Sequence, residues 1–403
     1  MLSIMQGHKG ASSMKVCLLN DSFPPLIDGV STTVVNYAQV LTNHGDDVVV
    51  ATPSYPYTDY SHYPYRVLDY PSLNTSYFFA GYRTGNPRSR YALSELTDFY
   101  PDIIHTHCPF SSILMAKNLK KRVDAPMVLT YHTKIDIDIA RAKAIKTKFL
   151  QKKVLDLIVH YMNRCDEVWT VSKGAVDNLR SIGYDGEVFI MSNGVDFPKG
   201  KLDPETVRKV THEVSLPPGV PVFLFVGRLL AYKGLSLILD SLKILDAKGI
   251  DFRMVFIGEG LDEKALQKKT QKMELDKKVF FTGKINNRTE LRAWNSRADL
   301  LLFPSTYDTN GIVVREAAAC GLPSVLIKNS CAAEGVTDGK NGYIIDKSPH
   351  ALAAKLEQLC SNMDGVHTAG INAMSDLYFS WDDAVKVARN RYDNLISNYR
   401  SHR

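Results

Sequence analysis

The chain has 403 residues, of which 45% are hydrophobic and 23% charged. That balance excludes a disordered chain, and the length suits two domains of about 150–200 residues better than one core. The formal charge of +6 is uneven: residues 102–153 hold 11 Lys and Arg against 4 Asp and Glu, whereas the rest of 1–198 holds 9 against 15. This pattern predicts a local cationic surface and no nucleic-acid partner.

The opening stretch MLSIMQGHKGASSMKV lacks the apolar run and cleavage site of a secretory signal, and Met14 falls at the first predicted strand. No apolar run reaches the roughly 18–20 residues of a membrane span. The six Cys have no metal-ligand spacing. A cytoplasmic protein is expected, peripheral on the inner face of the membrane if its cationic surface meets lipid.

In chain order, strands are predicted at 14–20, 47–52, 102–105, 127–131, 167–171 and 187–191, then at 222–227, 252–258, 278–283, 299–303, 323–327 and 343–345. Near-continuous apolar runs of this length suit parallel strands buried on both faces. Helical patterns alternate with them, so the predicted class is α/β, with two Rossmann-like doubly wound domains facing a cleft. The boundary is placed in the Gly- and Pro-rich segment 192–204, giving domains 1–197 and 198–380. A helix at about 381–403 is expected to pack back on the first. Residues 53–100 hold half of the 20 Tyr. They are read as an ordered loop on the acceptor side, with edge-covering tyrosines as the alternative.

Two stretches have the chemistry of a diphosphate site. In FPSTYDTNGIVVREAAACGLPSV (303–325) a strand end leads through Gly311 into a helix carrying Glu316. Its backbone N–H groups suit a phosphate, and Glu316 lies where a ribose hydroxyl pair would follow. In VGRLLAYKGL (226–235), Arg228 and Lys233 place two cations at a strand's carboxyl end. A third stretch, VLTYHTKID, puts His132 at a strand end; His105 and His107 of IIHTHCPF are weaker cleft candidates. The segment 140–164 reads as one basic amphipathic helix. Leu150, Val154, Leu157 and Tyr161 fall on one face, and Arg141, Lys148 and Lys152 on the opposite one. Such a helix suits either anionic lipid headgroups or a core with a solvated basic side. The DxD in IDID (135–138) is read as an acidic helix start rather than a metal site.

PSTYDTNGIVVREA resembles the E-x7-E motif of retaining glycosyltransferases of family 4, which have the GT-B fold. GRLLAYKG resembles their Arg/Lys motif, SNGVD (192–196) their NGVD box, FIGEG (256–260) and FTGKI (281–285) their nucleotide-side turns, and DSFPPLIDGVSTTV (21–34) their glycine loop. The resemblance implies that Arg228 and Lys233 stabilise the departing diphosphate and Glu316 binds ribose. Thr309, Asn310, Gly311, Ile312 and Val313 would present backbone to the phosphate and sugar. Gly29, Gly258 and Lys284 would line the donor site. His132 would lie beside the transferred sugar, as in lipid-using members, which also carry a basic helix after it. Asp308 stands where the family has its first Glu, one methylene longer, so the donor sugar is open.

The implied activity is retaining transfer of a hexose from a nucleotide sugar, UDP-glucose by family frequency, to a lipid such as diacylglycerol. No metal or other cofactor is expected, the two cations taking a metal's part. Three other readings stay open: a soluble or polysaccharide acceptor, an epimerase of similar fold, and a non-catalytic nucleotide-sugar binder.

Overall fold

The computed structural model describes residues 13–26, 28–75, 82–142, 145 and 147–401, the side chain of Arg141 excepted. The strands are β1 (Lys15–Leu19), β2 (Asp47–Pro53), β3 (Arg66–Tyr70), β4 (Ser72–Asn74), β5 (Arg83–Gly85), β6 (Ile103–Thr106), β7 (Met127–Tyr131), β8 (Glu167–Thr170), β9 (Val188–Ile190), β10 (Val222–Val226), β11 (Arg253–Ile257), β12 (Val279–Gly283), β13 (Leu300–Phe303), β14 (Ser324–Ile327) and β15 (Tyr343–Ile345). Every strand expected from the sequence is present to within one residue at each end. The chain forms two compact units: residues 1–170, 179–189 and 385–403, and residues 171–178 and 190–384. The division falls before position 190 rather than at 197, and 171–178 goes with the second unit.

The first unit is built on a seven-stranded sheet of order β3-β2-β1-β6-β7-β8-β9, parallel from β3 through β8. Val16, Leu18, Val49, Ile104 and Leu129 are fully buried, as strands covered on both faces require. The Tyr-rich stretch is not one loop. It supplies the edge strand β3, the antiparallel pair β4–β5 and a helix, Arg90–Phe99. Tyr65 and Tyr70 are buried core residues, and Tyr60, Tyr63 and Phe23 pack ring against ring. Tyr77 lies outside the described residues. The helix Trp381–Ser401 runs into the first unit. There Arg389 pairs with buried Asp46, Arg391 with Glu167, and Arg400 with Asp102.

The predicted helix 140–164 is two helices. Ile135–Arg141 ends at Ala142, whose backbone is extended, and Lys148–Met162 starts anew with Thr147 capping the Leu150 N–H. Asp136 and Asp138 sit in the first turn of the former, the favourable end of its dipole.

The second unit holds a six-stranded, wholly parallel sheet of order β12-β11-β10-β13-β14-β15. In both sheets the chain works outward from a central strand to one side, then returns to continue on the other. The strand order therefore reverses between β1 and β6 and between β10 and β13. At such a switch point the connections leave in opposite directions and open a crevice at the carboxyl ends.

Candidate active site

In the second unit the residues after β10 and β13 converge. Lys233 ends a short 3-10 turn and is buried, and its ammonium pairs with the carboxylate of Asp308. Ser305 donates to the other oxygen of Asp308. Three rings surround the ammonium, with centroids at 5.8 Å for Tyr232, 5.7 Å for Phe303 and 5.8 Å for Tyr307. Burial, chiefly, and the neighbouring Arg228 charge lower the Lys233 pKa, while Asp308 opposes the shift. Arg228 itself is exposed. The two cations expected to meet a diphosphate thus lie within electrostatic reach of each other.

Gly311 caps the helix Ile312–Ala319 in the left-handed region, at φ 60°, and among the described residues no side chain caps that helix. A Cβ at Gly311 would lie 2.9 Å from that of Ala332, so both backbone sign and space demand glycine. The uncapped first turn leaves its amides to an anion. Asn310 is buried; Arg315 donates to its Oδ1 at 3.4 Å, but among the described residues its Nδ2 has no partner. A buried amide in that condition is one an oxygen-rich ligand would satisfy. Thr309 and Val313 are partly exposed in the same turn. Glu316, one turn into the helix, is buried and receives a hydrogen bond from Arg288. Burial raises its pKa and Arg288 pulls it back.

Gly258 supports this site without facing open space. A Cβ there would lie 1.9 Å from the carbonyl oxygen of Gly227. The close approach lets the Leu229 N–H reach the Glu259 carbonyl at 2.9 Å, bracing the loop that carries Arg228. Lys284 directly follows β12 and is exposed.

In the first unit, His132 follows β7 and His107 follows β6. His107 Nδ1 and His132 Nε2 are 3.0 Å apart, and both rings are buried. His105 is interior rather than a cleft residue. It is fully buried, with Nε2 at 2.7 Å from Thr130 Oγ1 and Nδ1 bonded to the Tyr392 hydroxyl of the C-terminal helix. Burial holds His132 down at about 3 and pushes His105 and His107 well below the usual range; the neighbouring imidazoles push these two further down. All three are neutral at pH 7, so His132 offers a hydrogen bond and not a charge.

Gly29 is the first residue of the helix Gly29–Asn43, not part of the loop before it, and a Cβ there would meet nothing within 4 Å. The Asp28 carboxylate already accepts from Val30 N at 2.9 Å and Ser31 N at 2.7 Å. An anion at this helix start would have to displace it.

On Lys148–Met162 the buried side is Ile158 and Met162. Leu150 and Leu157, both on the predicted apolar face, are 44% and 52% exposed, and Phe149 is 71% exposed. Lys148 is exposed, Lys153 stands over the Phe149 ring, and Lys152 pairs with Asp156. Arg141 ends the preceding helix; its side chain and Lys146 lie outside the described residues.

A family model described as Glycosyltransferase Family 4 matches residues 27–198, and one described as Glycosyl transferases group 1 matches residues 208–375. The chain is a family 4 glycosyltransferase with the GT-B fold. It is 25% identical to alpha-monoglucosyldiacylglycerol synthase of Acholeplasma laidlawii over 95% of this chain and 98% of that one. It is 26% identical to a GDP-mannose-dependent alpha-mannosyltransferase of Corynebacterium glutamicum over 83% of this chain and 77% of that one. Its fold superposes on Anabaena HepE, crystallised with UDP, with a TM-score of 0.75 and 18% identity, covering 94% and 100% of the two chains.

Several residues of the glycosyltransferase's candidate site escaped the sequence reading. Arg288, Tyr232 and Tyr307 carry no local pattern that marks them. Asp21, in the first unit, is a buried structural tie that carries no such pattern either. Fully inside the protein, it accepts from Ser112 N at 2.9 Å and from the hydroxyls of Ser111 and Ser112, tying the end of β1 to the start of the helix Ser111–Lys120. Its position just after a strand, in a stretch already singled out, was the available signal.

Proposed function

We propose that the protein transfers a hexose with retention from a nucleotide sugar, UDP-glucose as the first candidate, to a membrane lipid such as diacylglycerol. The observation that carries the reading is the convergence of Lys233, Arg228, Asp308 and an uncapped helix N-terminus at the carboxyl ends of β10 and β13. In this reading the two cations and the first-turn amides of Ile312 and Val313 hold the diphosphate. Glu316 accepts from the ribose hydroxyls, and Asp308 from hydroxyls of the sugar.

Charge builds on the diphosphate as the C1–O bond breaks. Preorganised cations and amides stabilise that state more than the ground state, which is the largest available catalytic effect. No metal is needed. The acceptor hydroxyl attacks C1 on the face the diphosphate leaves, and its proton passes to a departing diphosphate oxygen. Neutral His132 positions the sugar through a hydrogen bond.

The acceptor reading draws on the diacylglycerol named in the Acholeplasma relative and on the helix Lys148–Met162. Phe149, Leu150 and Leu157 stand exposed there among lysines, a pattern suited to the anionic membrane interface. Among the described residues no helix is long and apolar enough to cross a membrane. The GDP-mannose named in the Corynebacterium relative is the competing donor.

The test begins with thermal shift against UDP, GDP and ADP. Transfer from the matching sugar nucleotides to diacylglycerol in anionic vesicles follows, with the product's anomeric configuration read by NMR and vesicle binding by flotation. An α-linked glycolipid from an α-configured donor supports the reading. A β product removes retention. Failure to float with anionic vesicles at physiological salt, with transfer to soluble sugars instead, removes the lipid acceptor.

A further inference from the structure

Three segments of the second unit meet at one guanidinium. Arg288 opens the helix Arg288–Arg297, whose cap is Asn287. Its Nε donates to Asp196 Oδ2 at 2.8 Å, and its Nη2 donates both to Asp196 Oδ1 and to Glu316 Oε1. The guanidinium carbon lies 4.4 Å from the centroid of the Phe197 ring. A two-point fork to one carboxylate and a ring beneath the plane leave little freedom to turn. The remaining contact is therefore aimed. The side chain of Glu316 is 9% exposed, and those of Arg288 and Asp196 are 45% and 36% exposed. A surface arginine, held by a surface acid, reaches inward to a buried one.

Left to itself, a carboxyl buried as Glu316 is would favour its proton and turn freely about its last torsion. The Arg288 charge opposes protonation, and its hydrogen bond takes up one oxygen. We propose that Arg288, clamped by Asp196 and Phe197, is a positioning residue that turns Glu316 so that its other oxygen accepts from the vicinal hydroxyls of the nucleotide's ribose. This rests on the ribose role of Glu316 stated above. It also explains the acid in the 192–196 segment: Asp196 acts on the nucleotide site through Arg288.

The alternative is a staple that merely joins the 196–197 segment to its neighbouring helix. The two differ in a readout that a staple cannot move, the preference for ribose over deoxyribose. The experiment titrates the full chain by calorimetry with whichever of UDP, GDP or ADP binds tightest and with its 2′-deoxy and 3′-deoxy forms. The proteins are wild type, Glu316→Gln, Arg288→Gln, Arg288→Lys and Asp196→Asn, each with a melting curve. Expected is a loss of about tenfold or more in ribonucleotide affinity for Arg288→Gln, with a smaller loss for the deoxy forms, so that the preference shrinks. Asp196→Asn moves the same way by less, and Arg288→Lys recovers part of the preference. If Glu316→Gln erases the preference but Arg288→Gln and Asp196→Asn keep it, the ribose role stands and the positioning role is overturned. If Glu316→Gln keeps the preference, or no nucleoside diphosphate binds, the ribose reading itself fails and the proposal with it.

Discussion

Lys233 and Asp308 stand 75 positions apart in the sequence and meet as an ion pair inside a collar of Tyr232, Phe303 and Tyr307. Each was expected to touch the donor, one at the diphosphate and one at the sugar. In the protein alone they satisfy each other. The pairing keeps a buried ammonium charged in surroundings that disfavour the charge. A donor that uses both must divide the pair, and this sets the two residues' substitutions apart.

Asp308→Asn removes the competing anion while keeping the side chain's shape. Nucleoside diphosphate affinity should rise several-fold and transfer should fall, because the sugar loses its carboxylate. Lys233→Ala should weaken the diphosphate and lower kcat/KM by about 10²–10³-fold, the scale of one preorganised donor in such a site. Calorimetry and steady-state kinetics on the two variants check the opposite signs. Wild-type turnover in Lys233→Ala would remove the leaving-group role.

The pH profile follows from the direction of the Lys233 shift. Burial first, then the Arg228 charge, lowers its pKa. Transition-state stabilisation needs the ammonium, so kcat/KM should fall as pH rises through this lowered value, below the usual lysine pKa of about 10.4. In Lys233→Arg the guanidinium stays charged, and the alkaline limb should vanish even if the rate at neutral pH is lower. A pH series on both proteins reads this directly.

Acid should destabilise the first unit through its three buried imidazoles. His132 is held at about 3, with His105 and His107 well below their usual value. The unfolded chain therefore binds protons near pH 6.5 that the folded one refuses. Stability is retained above about 6.5 and lost as pH falls below it, at up to about 1.4 kcal/mol per pH unit for each histidine that stays neutral in the folded chain, for His132 down to about 3. Urea titrations between pH 7.5 and 5 should show the decline. Replacing His132 by Asn should make the decline shallower by one histidine's share, leaving that of His105 and His107.

Gly258→Ala tests the brace behind the Arg228 loop. The backbone there has φ 139°, and the added carbon would sit 1.9 Å from the Gly227 carbonyl oxygen. Strain and overpacking together should cost about 2–5 kcal/mol. Denaturant unfolding measures the cost. Diphosphate affinity should fall as well, because the segment displaced is the one that presents Arg228.

How far the sequence could be read depended on burial. Strands covered on both faces write their presence as unbroken apolar runs, and β10 as VFLFV is legible without help. β3 was missed because it is an edge strand: Arg66 and Asp69 are exposed, and the sequence RVLDY has no continuous run. The helix predicted over 140–164 runs through a break because no Gly or Pro marks it. Thr147 is the local cue to the break, a capping residue three positions before the amide it caps. The sequence left open which way the Leu150 and Leu157 face of Lys148–Met162 turns; in the fold the core takes Ile158 and Met162, and the two leucines stay exposed.

By itself the sequence determined the alternation of strands and helices, the places where the chain could hold a diphosphate, and the family those motifs resemble. These depend on short spacings: period, turn residues, and charges beside a strand end. Tertiary structure alone decided which groups face one another. Lys233 with Asp308, Arg288 with Glu316 and Asp196, and His105 with Tyr392 join residues that no local rule connects. The parallel order β10-β13 sets the first pair side by side, since strands adjacent in the sheet need not be consecutive in the chain. The charge imbalance around 102–153 shows the same limit. It predicted a basic surface, but packing decided that its apolar companions Phe149, Leu150 and Leu157 would face outward among the lysines.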